Sequence, residues 1–395
     1  MQVAYEQLSL GQQLLARQGE HAGAVRSYIG ANCSISSDMG YLLVALAPLA
    51  SLSVVLGQQA ATAVGSLCTA GSAAAQASLT GYIEADNAAQ QDFTAISSSV
   101  GGIGSSFSAP SLGGAESQAG GDYGSGSDWI FGKAEELGRG ARELVDGTID
   151  TAGDRIEGWT GSSAGVSERS DPSSYLVTPD SGGNFVQDLR WSAGLILGGL
   201  DWAAEFFIGF SVLEEAIFKP FGGDWEAMSR ASVAWSHSGR AFMEMSSNIS
   251  ALPEQMSSWQ GEAADAFRAA MAALSGAIVG VSYAFDYVSG LVANVELVSK
   301  MACTAIAMIM GFIASNLMIL AAEAAVPVIG WAAAAAHVVV IVGYVVSALK
   351  IIYTLIDAIL DAIEDFIAAK EKLVQVIFVV EDIVEYSAKS ALGAR

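Results

Sequence analysis

The strongest constraint on the fold is a break between two helical patterns, at residues 257–267. On each side of it, apolar residues recur every three or four positions, which is the spacing of a helix with one buried face. Before the break these residues are Trp225, Met228, Val233, Trp235, Phe242, Met245 and Ile249, and after it they are Phe267, Met271, Leu274, Ile278, Val281 and Phe285. Because Pro253 and Gly261 bracket the break, the sequence predicts an antiparallel helical hairpin.

The residues within the break have the chemistry that such a turn needs. Trp259 supplies a large apolar ring that can clamp the bend. Gly261 lets the backbone pass close to that ring or adopt a positive φ. Glu262 and Asp265 fall in the first turn of the second helix, where acidic side chains interact favourably with the helix dipole.

Trp259 and Gly261 form a Trp-x-Gly motif at a helix–helix turn, and Phe267 follows at helical spacing. Over residues 225–300 this pattern resembles the WXG hairpin superfamily, whose members are substrates of type VII (ESX-like) secretion systems. Two Trp-containing stretches within residues 201–225 are also similar to the N-terminal region of actinobacterial secreted polymorphic toxins. The tripeptide alone leaves an ordinary helical hairpin as the alternative.

The N-terminal residues 1–93 predict a second helical hairpin, which lacks a Trp-x-Gly motif. Apolar spacing indicates helices over residues 3–30 and 41–92. The Ser-, Asn- and Gly-rich residues 32–40 between them predict the turn. This hairpin resembles a divergent member of the same superfamily.

A Tyr-x-x-x-Asp motif, Tyr82 and Asp86, lies near the end of this first hairpin. A spacing of four on a helix puts an aromatic ring and a carboxylate on the same face. In the family that the chain resembles, this motif and the Trp-x-Gly of the paired hairpin together form the export signal. The resemblance therefore implies a secretion signal made of Trp259, Gly261, Tyr82 and Asp86. Without it, Tyr82 and Asp86 are simply a solvated helix end.

Because one chain carries both hairpins, we expect residues 1–93 to pair with residues 225–300 in a four-helix-bundle-like core. The fold class is then all-α, with long helical hairpins, Gly/Ser-rich linkers and a hydrophobic C-terminal helical hairpin. The alternative is that each hairpin pairs with another chain, either a WXG-type partner protein or a second copy in a homo-oligomer.

Composition divides the rest of the chain. Residues 94–127 and 160–185 are rich in Gly and Ser, so they cannot bury much apolar surface and predict linkers. Between them, residues 128–159 have the spacing of an amphipathic helix. The WXG-type hairpin lies within residues 186–300, preceded there by an apolar helix. Residues 350–395 predict a final amphipathic helix.

Residues 301–349 are the most hydrophobic part of the chain. The run 301–322 has no charge, and at the helical rise it would extend about 33 Å, enough to cross a bilayer core. Lys300 and Lys350 flank the region, which is typical of a transmembrane hairpin with both ends on one side. The alternative is a soluble hairpin buried among its neighbours, which the many alanines favour.

The charge balance limits the partners. With 18 basic and 41 acidic residues, the net charge is −23, and a nucleic-acid partner is not expected because phosphate binding needs a positive field. Residues 1–17 lack the basic and continuous apolar regions of a signal peptide. We expect a secreted, cell-surface or membrane-associated protein without a cleavable signal peptide.

The residues that could bind a metal or act in catalysis are scattered along the sequence: Cys33, Cys68, Cys303, His21, His237 and His337. Their spacing fits no zinc site, disulfide framework or nucleophile motif. We therefore expect no enzyme activity, no cofactor and no metal. The predicted function is a secreted type VII substrate or effector that acts through helical protein–protein or membrane contacts. The alternatives are a membrane-inserting or pore-forming effector using residues 301–349, and a scaffold or chaperone for a separate toxin.

Overall fold

The computed structural model describes residues 5–35, 40–41, 43–44, 46–96, 108–118, 165–180 and 219–324, together with single positions between 342 and 374. Of the described residues 82% are helical, and their strands are only two residues long. The all-α prediction is therefore confirmed. The predicted helix over 128–159, nearly all of the predicted apolar helix over 186–219, and most of residues 325–349 and 350–395 lie outside the described residues.

Four long helices form most of the described chain: α1 Tyr5–Asn32, α2 Leu46–Ile96, α3 Trp225–Gln255 and α4 Glu262–Ala324. A single helical turn, Lys219–Phe221, precedes α3. Between α2 and α3 along the chain, two short strands pair in parallel, β1 Ser117–Gln118 and β2 Ser170–Asp171. A 3-10 helix, Pro172–Tyr175, follows β2.

Helices α1 and α2 form an antiparallel hairpin. Near one end, Gln12 Nε2 donates to Ser72 Oγ at 3.0 Å; near the other, Gly30 of α1 lies against the side chain of Gln58. The buried face of α1 recurs at helical spacing, which is why the sequence pattern finds this helix. Its fully buried apolar residues are Leu8, Leu14, Leu15, Ala22, Val25 and Ile29.

Helices α3 and α4 form the second antiparallel hairpin, joined by the Trp-x-Gly turn. Serine hydroxyls connect them: Ser232 Oγ donates to the carbonyl of Ser289, and Ser246 Oγ to that of Ser275, each at 3.0 Å. These small side chains let the helix backbones approach closely while their hydroxyl groups are satisfied inside the core. The hairpin predicted from the break at 257–267 is present.

Contacts between the two hairpins run mainly along α1 and α3, which are antiparallel to each other. Gly11 of α1 lies against Met256 just after α3. Farther along α1, Tyr28 Oη lies 3.0 Å from His237 Nδ1. Helix α2 meets α4 where Gly71 lies beside Met271. Most of the buried apolar residues of all four helices belong to one hydrophobic cluster.

Two described helices are long and apolar enough to cross a membrane by length and composition, Leu46–Asp86 and Glu262–Met308. Both also contribute side chains to the hydrophobic cluster between the hairpins, and helices of this kind occur in the cores of soluble proteins as well. The predicted membrane hairpin at 301–349 overlaps only the end of the second one.

Candidate functional site

The Trp-x-Gly turn is built around a buried indole ring. Trp259 is 2% exposed, and its ring centroid lies 5.4 Å from that of Phe267 in the first turns of α4. Gly261 has a φ of 120°, a conformation that L side chains rarely adopt. The positive φ predicted for Gly261 is therefore present, and the ring of Trp259 is buried at the bend.

Polar groups fix the turn from the outside. Arg268 donates from Nη2 to the carbonyl oxygen of Trp259 at 2.6 Å and from Nη1 to Asp265 at 2.7 Å. The indole N–H of Trp259 is buried and has no hydrogen-bond partner among the described residues. A buried donor without a partner is unfavourable by about 1–3 kcal/mol, so packing of the ring must hold Trp259 in place.

The two residues of the Tyr-x-x-x-Asp motif have different surroundings. Tyr82 is half-buried and packs against the hydrophobic cluster. Asp86 is exposed and accepts a hydrogen bond from the hydroxyl of Tyr5 at the start of α1. Burial, together with this hydrogen bond and the negative charge of Asp86, raises the pKa of Tyr5 to about 12. The motif therefore shows its carboxylate, and only part of its aromatic ring, to solvent.

Both motifs lie at the same end of the helical core, which we call the motif end: residues 5–7, 82–86 and 256–262. The first turn of α1 touches both halves, since Tyr5 bonds to Asp86 and Gln7 accepts a hydrogen bond from Ser258, next to Trp259. Residues 5 and 7 are separated by about 3 Å along the helix axis.

The packing of α2 against α4 also puts the two motifs at the same end of the core. Gly71 of α2 lies beside Met271 of α4, and the two helices run in opposite directions. The same number of residues forward from Gly71 and back from Met271 leads to Tyr82 and to Gln260. Because α4 begins at Glu262, two residues after Gln260, the common helical rise puts Tyr82 within one turn of the start of α4 along the axis.

The exposed surface of the motif end is acidic. Its exposed carboxylates are Glu6, Glu84, Asp86 and Glu262, and exposed Asp265 lies one helical turn farther along α4. Arg268 lies among them and is held by Trp259 and Asp265. A partner that binds this end therefore has to present positive charge or hydrogen-bond donors.

A second polar site, which the sequence pattern does not predict, lies on the side of the core where α1 faces α3. Glu168 is 2% exposed. Its carboxylate accepts hydrogen bonds from Arg17 at 2.9 Å and Gln18 at 2.8 Å, and His21 Nε2 lies at 2.9 Å. Burial alone would raise the pKa of Glu168, but the hydrogen bonds from His21, Arg17 and Gln18 lower it below its usual value.

The residues around this second site belong to segments that composition predicts as linkers. Residues 108–118 and 165–180 lie against α1 and α3, because side chains of those helices hydrogen-bond to their main chain. One signal was present in the sequence: Gln18 of α1 and Asn248 of α3 interrupt apolar stripes at positions that face the core. Both side chains are fully buried.

Within the described part of the chain, the possible metal or catalytic groups do not come together. Cys33, Cys68 and Cys303 are separate, buried, free thiols. His237 is buried beside Tyr28, and its pKa is lowered by burial and by the charge of Arg240. Among the described residues no group of three His, Cys, Asp or Glu could hold a metal ion, while His337 lies outside them.

Comparison of the chain with protein-family models, with curated proteins and with solved structures gives no significant match.

Proposed function

We propose that this protein is a substrate of a type VII secretion system, of the WXG type, and that it acts through helical protein contacts and not through catalysis. The observation that supports this most is the meeting of the two motifs at one end of the core. Tyr82 and Asp86 lie on one hairpin and Trp259 and Gly261 on the other, and the first turn of α1 bonds to both neighbourhoods.

In this proposal the two hairpins form one four-helix-bundle-like core, the single-chain equivalent of a WXG-type heterodimer. The antiparallel contacts of α1 with α3, and of α2 with α4, support it. The linker then has the role of keeping both halves of the signal on one chain, so that export requires no second subunit. Because the linker gives the two hairpins a high effective concentration for each other, pairing within the chain is favoured over pairing between chains.

The surface of the motif end supports recognition by another protein. A half-buried aromatic ring, an exposed carboxylate and a group of further acids are displayed together. Aromatic side chains and charges at a rigid helix end are the features that binding partners use for affinity and orientation. The secretion machinery would supply the complementary basic and apolar groups.

The test is export itself. The full chain is expressed in an actinobacterial host with an active type VII system and in the same host with that system inactivated. The protein is then quantified in the medium and in the cells. We expect it in the medium of the first host only, at equal abundance inside both. Equal release from the two hosts, or retention in both, would contradict the proposal.

A second candidate function is contact with a membrane through the end of α4. This helix continues well past the start of α3, and its exposed apolar residues there are Met301, Met308, Phe312 and Ile319. Their spacing puts them on a single stripe of the helix, within the uncharged run 301–322. This stripe is the observation that favours an insertion or pore-forming role for residues 301–349.

Vesicle flotation separates this candidate from the first. Wild type and a Phe312→Asp variant are mixed with neutral phosphatidylcholine vesicles and centrifuged through a density gradient. If the stripe enters the bilayer, wild type floats with the vesicles and the variant does not, since a charge on the stripe has to be desolvated. If neither floats, the stripe does not bind lipid.

A further inference from the structure

Residues 165–180, which we call the strap, lie in a groove between α1 and α3. From residue 166 to 172 their side chains alternate between buried and accessible. The buried members are Val166, Glu168, Ser170 and Pro172. A period of two is the pattern of an extended peptide with one face against a surface. The strap therefore sits on the helices as a bound peptide would.

Side-chain amides of α3 hydrogen-bond to the main chain of the strap. Asn248 Oδ1 accepts from the amides of Arg169 and Ser170 at 3.0 and 3.2 Å, and its Nδ2 donates to the carbonyl of Ser170 at 2.8 Å. Gln255 accepts from the amide of Ser167 and donates to its carbonyl, at 3.4 and 3.1 Å. A carboxamide has both donors and acceptors, so these two residues bind an extended backbone as a neighbouring strand does.

The strap is also bound through its main chain by the backbone of residues 116–118. The amide of Glu116 donates to the carbonyl of Glu168 at 2.8 Å, and β1 continues this pairing in parallel register with β2. Gln13 of α1 in turn donates to the carbonyl of Pro110 and accepts from the amide of Leu112, at 2.8 and 2.9 Å. Backbone recognition of this kind does not depend on side-chain identity.

Side-chain specificity comes from the buried positions. Glu168 has its own polar pocket, made by Arg17, Gln18 and His21 of α1. The hydroxyl of Ser170 donates to Glu244 of α3. Two further side chains are buried and apolar: Val166, two residues before Glu168, and Pro172, two residues after Ser170. The groove thus binds an apolar residue, a glutamate, a serine and a proline at alternate positions of the strap.

We propose that the groove between α1 and α3 is a binding site for extended peptides of the pattern apolar-x-Glu-x-Ser-x-Pro, and that the strap fills it as a releasable ligand within the chain. The contact between the two hairpins does not depend on the strap alone, since Gly11 of α1 packs against Met256, just after α3, away from the strap. Because the strap is tethered, its effective concentration is on the order of millimolar. A free peptide at micromolar concentration therefore does not displace it from wild type.

The first experiment uses the full chain and a fluorescein-labelled synthetic peptide with the sequence of residues 165–180. A Glu168→Ala variant weakens the strap but keeps Arg17, Gln18 and His21 for the peptide. We expect the variant to bind the peptide at least tenfold more tightly than wild type, by fluorescence anisotropy. A peptide with Gln at the glutamate position should bind at least tenfold more weakly.

The matched control is Arg169→Ala, which changes a neighbouring strap side chain that is exposed and leaves Glu168 in its pocket. This variant should bind the peptide no better than wild type does. If Glu168→Ala has the helical content of wild type but shows no saturable binding, the groove is not a peptide site and the proposal is overturned.

Hydrogen exchange on wild type gives a second test that needs no variant. The amides of Arg169 and Ser170 are bonded to Asn248, so they report release of the strap. We expect them to exchange at least tenfold faster than the amides of Val25 and Ile29 in α1. Exchange of both sets at one common rate would mean that the strap opens only with global unfolding, and would overturn the proposal even if Glu168→Ala does not fold.

Discussion

The backbone of Gly57 in α2 lies directly against the indole ring of Trp235 in α3. A Cβ at residue 57 would be 2.6 Å from Cη2 of that ring and 2.8 Å from Cζ3. The ring has little room to move, because Trp235 is buried and packs edge-on against Phe285, with 5.1 Å between the ring centroids. Since the glycine belongs to one hairpin and the ring to the other, this contact depends on the pairing of the two hairpins within the chain.

Gly57→Ala should therefore destabilise the protein. Overpacking of this kind lowers the free energy of unfolding by about 1–3 kcal/mol, and the gain in helix propensity, about 1 kcal/mol, offsets only part of that loss. The matched control is Gly81→Ala on the same helix, where nothing lies within 4 Å of the added methyl group and helix propensity favours alanine by about 1 kcal/mol. Urea unfolding followed by circular dichroism measures both. Equal stability of the two variants would contradict the observed packing.

Gly261→Ala tests the backbone of the Trp-x-Gly turn. With a φ of 120°, an alanine at this position is strained, and we expect the free energy of unfolding to fall by about 1–3 kcal/mol. Gly290→Ala is the control: it lies inside α4 with open space around it, so alanine should stabilise that helix. The same urea titration compares them, and a neutral or stabilising Gly261→Ala would show that the turn does not need glycine.

Asp86→Asn should lower the pKa of Tyr5. The carboxylate accepts the hydrogen bond from Tyr5 and repels the phenolate, and both effects add to burial in raising that pKa to about 12. Titration by NMR of 13C-labelled tyrosine, with Tyr5→Phe to assign the signal, measures the change. Glu262→Gln, an exposed acid at the same end that accepts no hydrogen bond from Tyr5, should leave the pKa near its wild-type value.

The same shift makes stability depend on alkaline pH. Since the pKa of Tyr5 is raised in the folded state, its contribution is fully present below 10.0, the ordinary value, and is lost as the pH rises towards about 12. In Asp86→Asn this loss should finish at a lower pH. Identical pH profiles of unfolding between pH 9 and 12 for the two proteins would contradict the contact.

Glu168→Gln should lower stability by about 1–3 kcal/mol at neutral pH, because it removes the charge that Arg17 and Gln18 bind. The pKa of Glu168 is lowered in the folded protein, so the wild-type advantage is present above 4.5 and shrinks as the pH falls through the folded pKa. Glu254→Gln, in a pair that is exposed on both sides, should change stability by less than about 0.5 kcal/mol. A pH-independent difference would contradict the assignment.

Periodicity was enough to predict the hairpins. Apolar residues at helical spacing mark α1, α3 and the first part of α4, and Gly261 marks the turn because few other residues adopt its φ. Apolar spacing predicts that α2 begins at residue 41, whereas the helix begins at Leu46. Just before α2 the backbone is bound by a distant segment, since the amide of Tyr41 donates to the carbonyl of Lys219, and periodicity carries no information on such bonds.

Composition could not predict the strap. A segment rich in Ser and Gly has little apolar surface to bury, and for that reason the composition of residues 160–185 predicts a linker. Residues 165–180 are held instead by hydrogen bonds from Asn248 and Gln255 to their main chain and by one buried glutamate. Partners so distant in sequence leave no local pattern, apart from Gln18 and Asn248 on otherwise apolar helix faces.

The most direct measurement of the proposed function is the secreted fraction of motif variants in the host with the active type VII system. Tyr82→Ala and Asp86→Ala change the half of the proposed signal that lies on α2, and Trp259→Ala changes the proposed half at the turn. Tyr41→Ala is the control, because this residue is 61% exposed and lies outside both motifs. All variants must be as abundant inside the cell as wild type.

We predict that the three motif variants lose at least nine-tenths of their export, whereas Tyr41→Ala is exported like wild type. A tenfold loss corresponds to a lost binding free energy of about 1.4 kcal/mol, which a hot-spot residue can supply. Export of the motif variants at the wild-type level would contradict the proposal, and the motifs would then serve only the packing of the helices.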